Sequence, residues 1–251
     1  MIRVTFLEHS GFFLELNTIC LLFDWWKGNL PLPLPDKPLL VFASHHHPDH
    51  FQPAIFSLNS KHRTVQFLMG KDIRLTPSHL KKWGVSEDTA ALCHRLGGNQ
   101  TITPLPGVHV ETLPSTDEGV AFLVTAEGHT IFHAGDLNWW HWAEEDPAWN
   151  ADMADNFQYD LQPLEGRAID LAMFPLDPRL GVDGFRGPAY FLAHTHTAQL
   201  LPMHQWGDFA FTTQFLESHP AFGKIVLPIT KVGQEFQLFA DDSAETPRSV
   251  D

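Results

Sequence analysis

The chain has 251 residues, 43% of them hydrophobic, enough to bury one sizeable core in a single domain spanning 1–251. Its 16 Lys and Arg stand against 30 Asp and Glu, and a formal charge of −14 leaves no basic footprint for nucleic acid. No apolar run reaches ~18 residues, so no transmembrane helix is expected, and the first residues lack the basic start and apolar stretch of a signal peptide.

Alternating and apolar runs predict strands near 2–7, 11–16 and 19–23. The proline-rich stretch Leu30-Pro-Leu-Pro-Leu-Pro35 reads as an extended connection. A buried strand at 39–43 (Leu-Leu-Val-Phe-Ala) runs straight into a histidine-rich turn, followed by a strand near 64–69 and a helix near 77–83. Strands are expected again near 108–113, 119–126 and 129–134, with a helix within 139–157. The remainder reads as strand 169–174, helix 187–196, strand 199–203, helix 208–218 and strands near 224–227 and 235–239. Strands precede helices in each half, which suggests layered sheets with helices on their outer faces. The two cysteines, Cys20 and Cys93, make neither a disulfide framework nor a metal knuckle, so a reducing cytoplasm is the expected compartment.

Two segments are alike. Gly11 to Asp24 and Gly119 to Asp136 each read strand, polar turn, strand, aspartate, and each aspartate precedes tryptophans, Trp25-Trp26 and Trp139-Trp140. A duplicated half-fold would leave this trace, although two hairpins can also resemble one another by chance.

The chemistry concentrates in Ser44-His45-His46-His47-Pro48-Asp49-His50, placed at the carboxyl end of a buried strand, where α/β proteins site their ligands. Imidazole and carboxylate suit Zn²⁺, and also Mn²⁺ or Fe²⁺. In so compact a turn His45 and His47 can face one side while Asp49 and His50 reach a second position, as hydrolysis with paired cations requires.

His45-x-His47-x-Asp49-His50, together with Asp24, His133-Ala-Gly-Asp136 and Pro202-Met-His204, resembles the signature of the metallo-β-lactamase superfamily. The spacing is most similar to the branch that contains ascorbate-phosphate lactonases. This resemblance implies an α/β fold, a four-layer αβ/βα sandwich of two central mixed sheets with helices outside. It assigns His45 and His47 to a first cation, Asp49 and His50 to a second, Asp136 to a bridge and His204 to the second site. Asp24 would orient the histidine turn by hydrogen bonding. Asp49 or Asp136 would accept the proton of an activated water. The superfamily's additional histidine on the first cation is missing, because 113–118 reads Leu-Pro-Ser-Thr-Asp-Glu. Asp117, Ser115 or Thr116 would have to substitute, or His109 reach in. The implication is one complete site at Asp49, His50, Asp136 and His204, with Zn²⁺ the expected ion, and a second that depends on a replacement ligand.

Other residues carry two readings each. Trp139, Trp140 and Trp142 fit an aromatic wall beside the metals or a helix anchor, and His133 would support the site beside Asp136. His9 ends a strand near the metal edge. His46 should point away from the metals, and His194 and His196, within one expected helix, should be surface residues on different faces. Arg179, in Asp177-Pro-Arg179, could bind an anionic group or form a salt bridge. The expected activity is hydrolysis of a small ester, lactone or phosphodiester, with no nucleic acid or membrane partner. A nuclease and a non-catalytic metal sensor are the competing readings.

Overall fold

The computed structural model describes residues 1–31, 34–59 and 63–239; Leu32 and Pro33 of the proline-rich stretch lie outside them. The chain opens as an antiparallel meander of β1 (Ile2–Glu8), β2 (Gly11–Glu15) and β3 (Cys20–Phe23). It then adds β4 (Leu39–Ala43), β5 (Val65–Gly70) and β6 (Cys93–Leu96), each parallel to its predecessor, with α1 (Pro77–Trp83) and α2 (Glu87–Ala90) before β6. A second meander follows in β7 (Thr101–Leu105), β8 (Val108–Pro114), β9 (Val120–Ala126) and β10 (His129–His133). After α3 (Pro147–Leu161), β11 (Ala168–Pro175) joins parallel to β10, and after α4 (Arg186–His194), β12 (His196–Met203) joins parallel to β11. Beyond α5 (Phe211–Ser218), β13 (Glu235–Leu238) crosses back to pair with β1. The result is two mixed sheets, ordered β13-β1-β2-β3-β4-β5-β6 and β12-β11-β10-β9-β8-β7.

Period-two alternation builds the layers. Leu40 and Phe42 of β4 face the second sheet, where Phe42 meets Phe122 edge-on at 5.1 Å. Leu39, Val41 and Ala43 face the other way, onto Phe51, Ile55, Phe56 and the α1 side. Both faces of β4 are therefore buried, which is why its sequence reads as an uninterrupted apolar run. On the second sheet Phe132 and Phe174 point outward and stack against Phe191 of α4.

The pairing sequence is the same in both sheets. From β1 to β5 it runs antiparallel, antiparallel, parallel, parallel, and from β8 to β12 it repeats. The likeness of 11–24 to 119–136 is thus a likeness of corresponding hairpins. Their turns touch: the Glu127 carboxylate accepts the Asn17 and Thr18 backbone N–H groups at 2.9 and 2.7 Å and the Thr18 hydroxyl at 2.6 Å.

Three expectations about elements are corrected. The helix placed within 139–157 starts only at Pro147, behind an Asp146 cap that accepts the Ala148 N–H. The helix placed at 187–196 stops at His194, because Thr195 turns extended (φ −124°, ψ 162°) and His196 opens β12. The strand placed near 224–227 is a single bridge, Leu200 with Val226, since Pro228 has no N–H with which to extend a ladder. The short elements β6, β7 and α2 went without expectation; the two strands are half-exposed and partly polar. Among the described residues no helix is long and apolar enough to cross a membrane.

Candidate metal centre

The histidine turn leaves β4 at Ser44 and is held from beneath by Asp24, at the end of β3. Asp24 Oδ1 accepts the Ser44 N–H at 2.7 Å; Oδ2 accepts the Ser44 hydroxyl at 2.6 Å and pairs with His50 Nδ1 at 2.8 Å. Having given its proton to Asp24, the Ser44 hydroxyl accepts from His45 Nδ1 at 2.9 Å. This network fixes protons on both Nδ1 atoms and leaves both Nε2 lone pairs facing the site. Close packing demands glycine around the turn: at Gly119 (φ +74°) a Cβ would stand 2.0 Å from the Ser44 carbonyl oxygen.

Two four-residue groups converge above it. His45, His47, Asp117 and Asp136 form one, and His9, Asp49, His50 and His204 the other, with ligand atoms in each within 4.8 Å of one another. Asp136 lies between them. Its Oδ2 is 3.5 Å from His45 Nε2, while Oδ1 is 3.2 Å from His50 Nε2 and 3.6 Å from His204 Nε2. His9 Nε2 approaches Asp49 Oδ2 at 3.4 Å, and His47 Nδ1 approaches Asp117 Oδ2 at 3.8 Å. His204, with φ +62°, is oriented by Asp177, whose Oδ2 is 2.9 Å from Nδ1.

His9 Nε2, His45 Nε2, His50 Nε2 and Asp136 Oδ1 are buried without a hydrogen-bond partner. Orphaned buried polar atoms are costly, and several aimed at a shared space fit a cation with nitrogen and oxygen ligands. The electrostatics agree. Burial, helped by the nearby His204 and His50, lowers the His9 imidazole to about 2, and burial with His50 lowers His45 to about 4. Both are therefore neutral and able to ligate. Burial pushes the Asp136 carboxyl upward, but His50, His204 and His45 hold it well below the carboxylate range. His204 differs: despite burial, Asp136 and Asp177 raise it to about 9, so a cation bound there would displace a proton from the ring.

Of the residues in 113–118, Asp117, in the β8–β9 turn, is the one that groups with His45, His47 and Asp136. His9 takes the corresponding place in the β1–β2 turn, and each residue precedes a glycine by two, Gly11 and Gly119. Ser115 instead accepts the Asp117 N–H, and Thr116 donates to the Asn138 carbonyl at 2.6 Å, tying the Asp117 loop to the Asp136 loop. His109 does not reach in: it is exposed on β8 and bonded to Thr103 at 3.1 Å, because strand alternation turns it away from the core. His46 is exposed and bonded to Asp72. His133 is fully buried, stacked on Phe23 and bonded to the Ser10 carbonyl at 2.8 Å, so it braces the sheets beneath the centre. His194 and His196 lie away from the site, on α4 and β12.

A cavity of about 380 Å³ opens over the centre, reaching His47, Asp49, Asp117, Asp136 and His204. Trp140, Trp142, Trp149, Met153 and Trp206 wall it, and Arg179 is at its edge. Trp140 donates to the Asp136 carbonyl at 3.0 Å and stacks parallel to Trp142 at 6.2 Å. Trp139 is not part of the wall; chain alternation turns it onto Phe157 and Tyr190. Trp149, Met153 and Trp206 carried no expectation, although the i, i+4 spacing of the first two on α3 marks one helix face.

A family model described as the beta-lactamase superfamily domain matches residues 3–147. A UPF0173 metal-dependent hydrolase of Nitratidesulfovibrio vulgaris is 27% identical over 233 residues, covering 86% of each chain. Among solved structures, Igni18, a metallo hydrolase of Ignicoccus hospitalis, superposes with a TM-score of 0.65 at 16% identity, covering 95% of this chain and 99% of its own. CmlA, a diiron β-hydroxylase of Streptomyces venezuelae, gives 0.59 at 12% identity over 94% of this chain and 54% of its own. The chain belongs to the beta-lactamase superfamily and is a metal-dependent hydrolase of it.

Proposed function

We propose that this member of the beta-lactamase superfamily hydrolyses a small ester, lactone or phosphodiester with the help of two divalent cations. The observation that carries the reading is the convergence of two four-residue ligand groups on opposite oxygens of Asp136. His45, His47, Asp117 and Asp136 would hold one cation, and His9, Asp49, His50 and His204, with the other oxygen of Asp136, the second. Bound there, the cations would supply Lewis acidity and lower the pKa of a water to near ~7. Zn²⁺ suits this imidazole–carboxylate set, and Mn²⁺ or Fe²⁺ would fit the same donors.

The chain's own groups perform the rest. Asp24 and Asp177 lock the His50 and His204 tautomers so that only Nε2 faces the site. Asp49 and Asp117 stand on the floor of the cavity, where either carboxylate can take a proton from the attacking water or return it to the leaving oxygen. The tryptophan walls exclude water and limit the substrate to a small molecule.

Elemental analysis of gently purified protein tests the metal assignment. Two equivalents per chain are expected, and one equivalent in either His9→Ala or Asp117→Ala. A panel of lactones, phosphodiesters and carboxylic esters, with and without added Zn²⁺ or Mn²⁺, tests the activity. Retention of both metals in both variants would refute the ligand assignment, and metal-independent turnover would refute the mechanism.

A further inference from the structure

Five residues line the cavity as metal-centre groups and five as apolar walls, yet one cation, Arg179, stands among them. Its guanidinium is placed by more than one contact. Nε and Nη2 donate to the buried carboxylate of Asp177 at 3.0 and 2.6 Å, and the backbone N–H of Arg179 donates to the same carboxylate at 2.8 Å. The plane lies over the Trp206 ring at 4.6 Å and near the Trp142 ring at 5.4 Å. Fixed between two indoles and a carboxylate, the group has already lost the rotamer freedom that a mobile surface arginine would forfeit on binding a ligand. Among the described residues Nη1 takes no hydrogen-bond partner, and the side chain is 46% exposed.

We infer that Arg179 is the specificity-determining residue of the cavity, selecting substrates that carry a single negative charge beside a flat apolar group. This rests on the hydrolase reading above. Asp177 occupies the side-on Nε–Nη2 edge and offsets much of the guanidinium charge. What remains is the end-on edge, Nη1 and the second N–H of Nη2, in a partly neutralised field matched to a carboxylate or sulfonate rather than to a phosphate dianion. The apolar part of the ligand would lie along Trp140, Trp142 and Trp206, and the scissile group over Asp136. Asp177 also holds His204, so one carboxylate links the substrate's anchor to a ligand of the centre.

Binding to the metal-loaded protein tests this without turnover. Benzenesulfonate, a monoanion and poor metal ligand, is titrated against neutral methyl phenyl sulfone and against phenylphosphonate by tryptophan fluorescence and calorimetry. Wild-type protein should bind the sulfonate about tenfold more tightly than the sulfone, a difference of ~1.4 kcal/mol. Arg179→Met should erase that ratio and Arg179→Lys restore part of it, each with two metal equivalents retained. Equal wild-type affinities for sulfonate and sulfone, or a preference that survives Arg179→Met, would overturn the assignment. A loss of phenylphosphonate affinity on Arg179→Met larger than the loss of sulfonate affinity would overturn the monoanion selectivity. Loss of metal from Arg179→Met would show a structural role through Asp177 instead. Failure of the hydrolase reading shows separately, as absent metal in the wild-type protein.

Discussion

A single buried carboxylate decides which nitrogen of His50 is free. Asp24 accepts from the Ser44 N–H, the Ser44 hydroxyl and His50 Nδ1. In Asp24→Asn the Oδ1 position can still accept the Ser44 N–H, but the amide nitrogen then faces His50 Nδ1 as a donor. The imidazole must move its proton to Nε2 and lose the lone pair aimed at the metals. Metal affinity should fall 10–100-fold, measured by competition with a chromophoric chelator; unchanged affinity would show that Asp24 does not set the tautomer. Gly119 limits the same turn by shape. Its positive φ and the 2.0 Å approach of a built Cβ to Ser44 mean that Gly119→Ala must both strain the backbone and displace the turn. A loss of roughly 2–5 kcal/mol is expected in denaturant unfolding. A loss below ~1 kcal/mol would mean that the turn relaxes freely.

At the scale of elements, the correspondence between the two hairpin systems explains what the sequence disclosed and what it withheld. The strand 39–43 was legible because both of its faces are buried, and the pair of Asp-ending hairpins was legible because their spacing is nearly conserved within one chain. The extra candidate ligands were harder to read. His9 and Asp117 differ in chemistry, so nothing in composition pairs them; only their shared place two residues before an opening glycine does, and that place has meaning once the strands are paired. The start of α3 was missed because the tryptophan run 139–142 imitates an amphipathic helix, while the Asp146-Pro147 cap is a weaker signal. Glu127 is the contact between the two hairpin turns. Burial raises its pKa, but the donors at Thr18 and Asn17 more than offset this and hold it below the ordinary 4.5. A carboxyl with a depressed folded-state pKa adds stability above its unfolded value and loses it as pH falls through the folded value. Glu127→Gln should therefore cost about 1 kcal/mol at neutral pH, and the gap from wild type should close below pH 4.5 as wild type loses its advantage. A pH-independent gap would place the effect in packing rather than charge.

For the whole molecule, the candidate centre sits at the seam where the two sheets meet, and the residues that would hold its cations come from both. His9, Asp24 and the 45–50 turn leave the first sheet, while Asp117, Asp136 and His204 leave the second. The charged and orphaned groups at this seam oppose docking of the halves until cations are bound. Cations that bind only the folded chain stabilise it by mass action, ~4 kcal/mol when present at about a thousand times the dissociation constant. In a chain of this length each kcal/mol moves Tm by about 2–4 °C, so chelation should lower Tm by roughly 8–16 °C. The loss should be reversed by Zn²⁺ or Mn²⁺. Asp136→Asn should abolish most of the response, because Asp136 faces both groups, whereas His9→Ala or Asp117→Ala should each remove about half. A chelator-insensitive Tm would mean that the seam is already satisfied without cations. The orphaned nitrogens of His9, His45 and His50 would then need a different partner, water being the simplest, and the ligand groups would have to be read as a polar junction between the sheets.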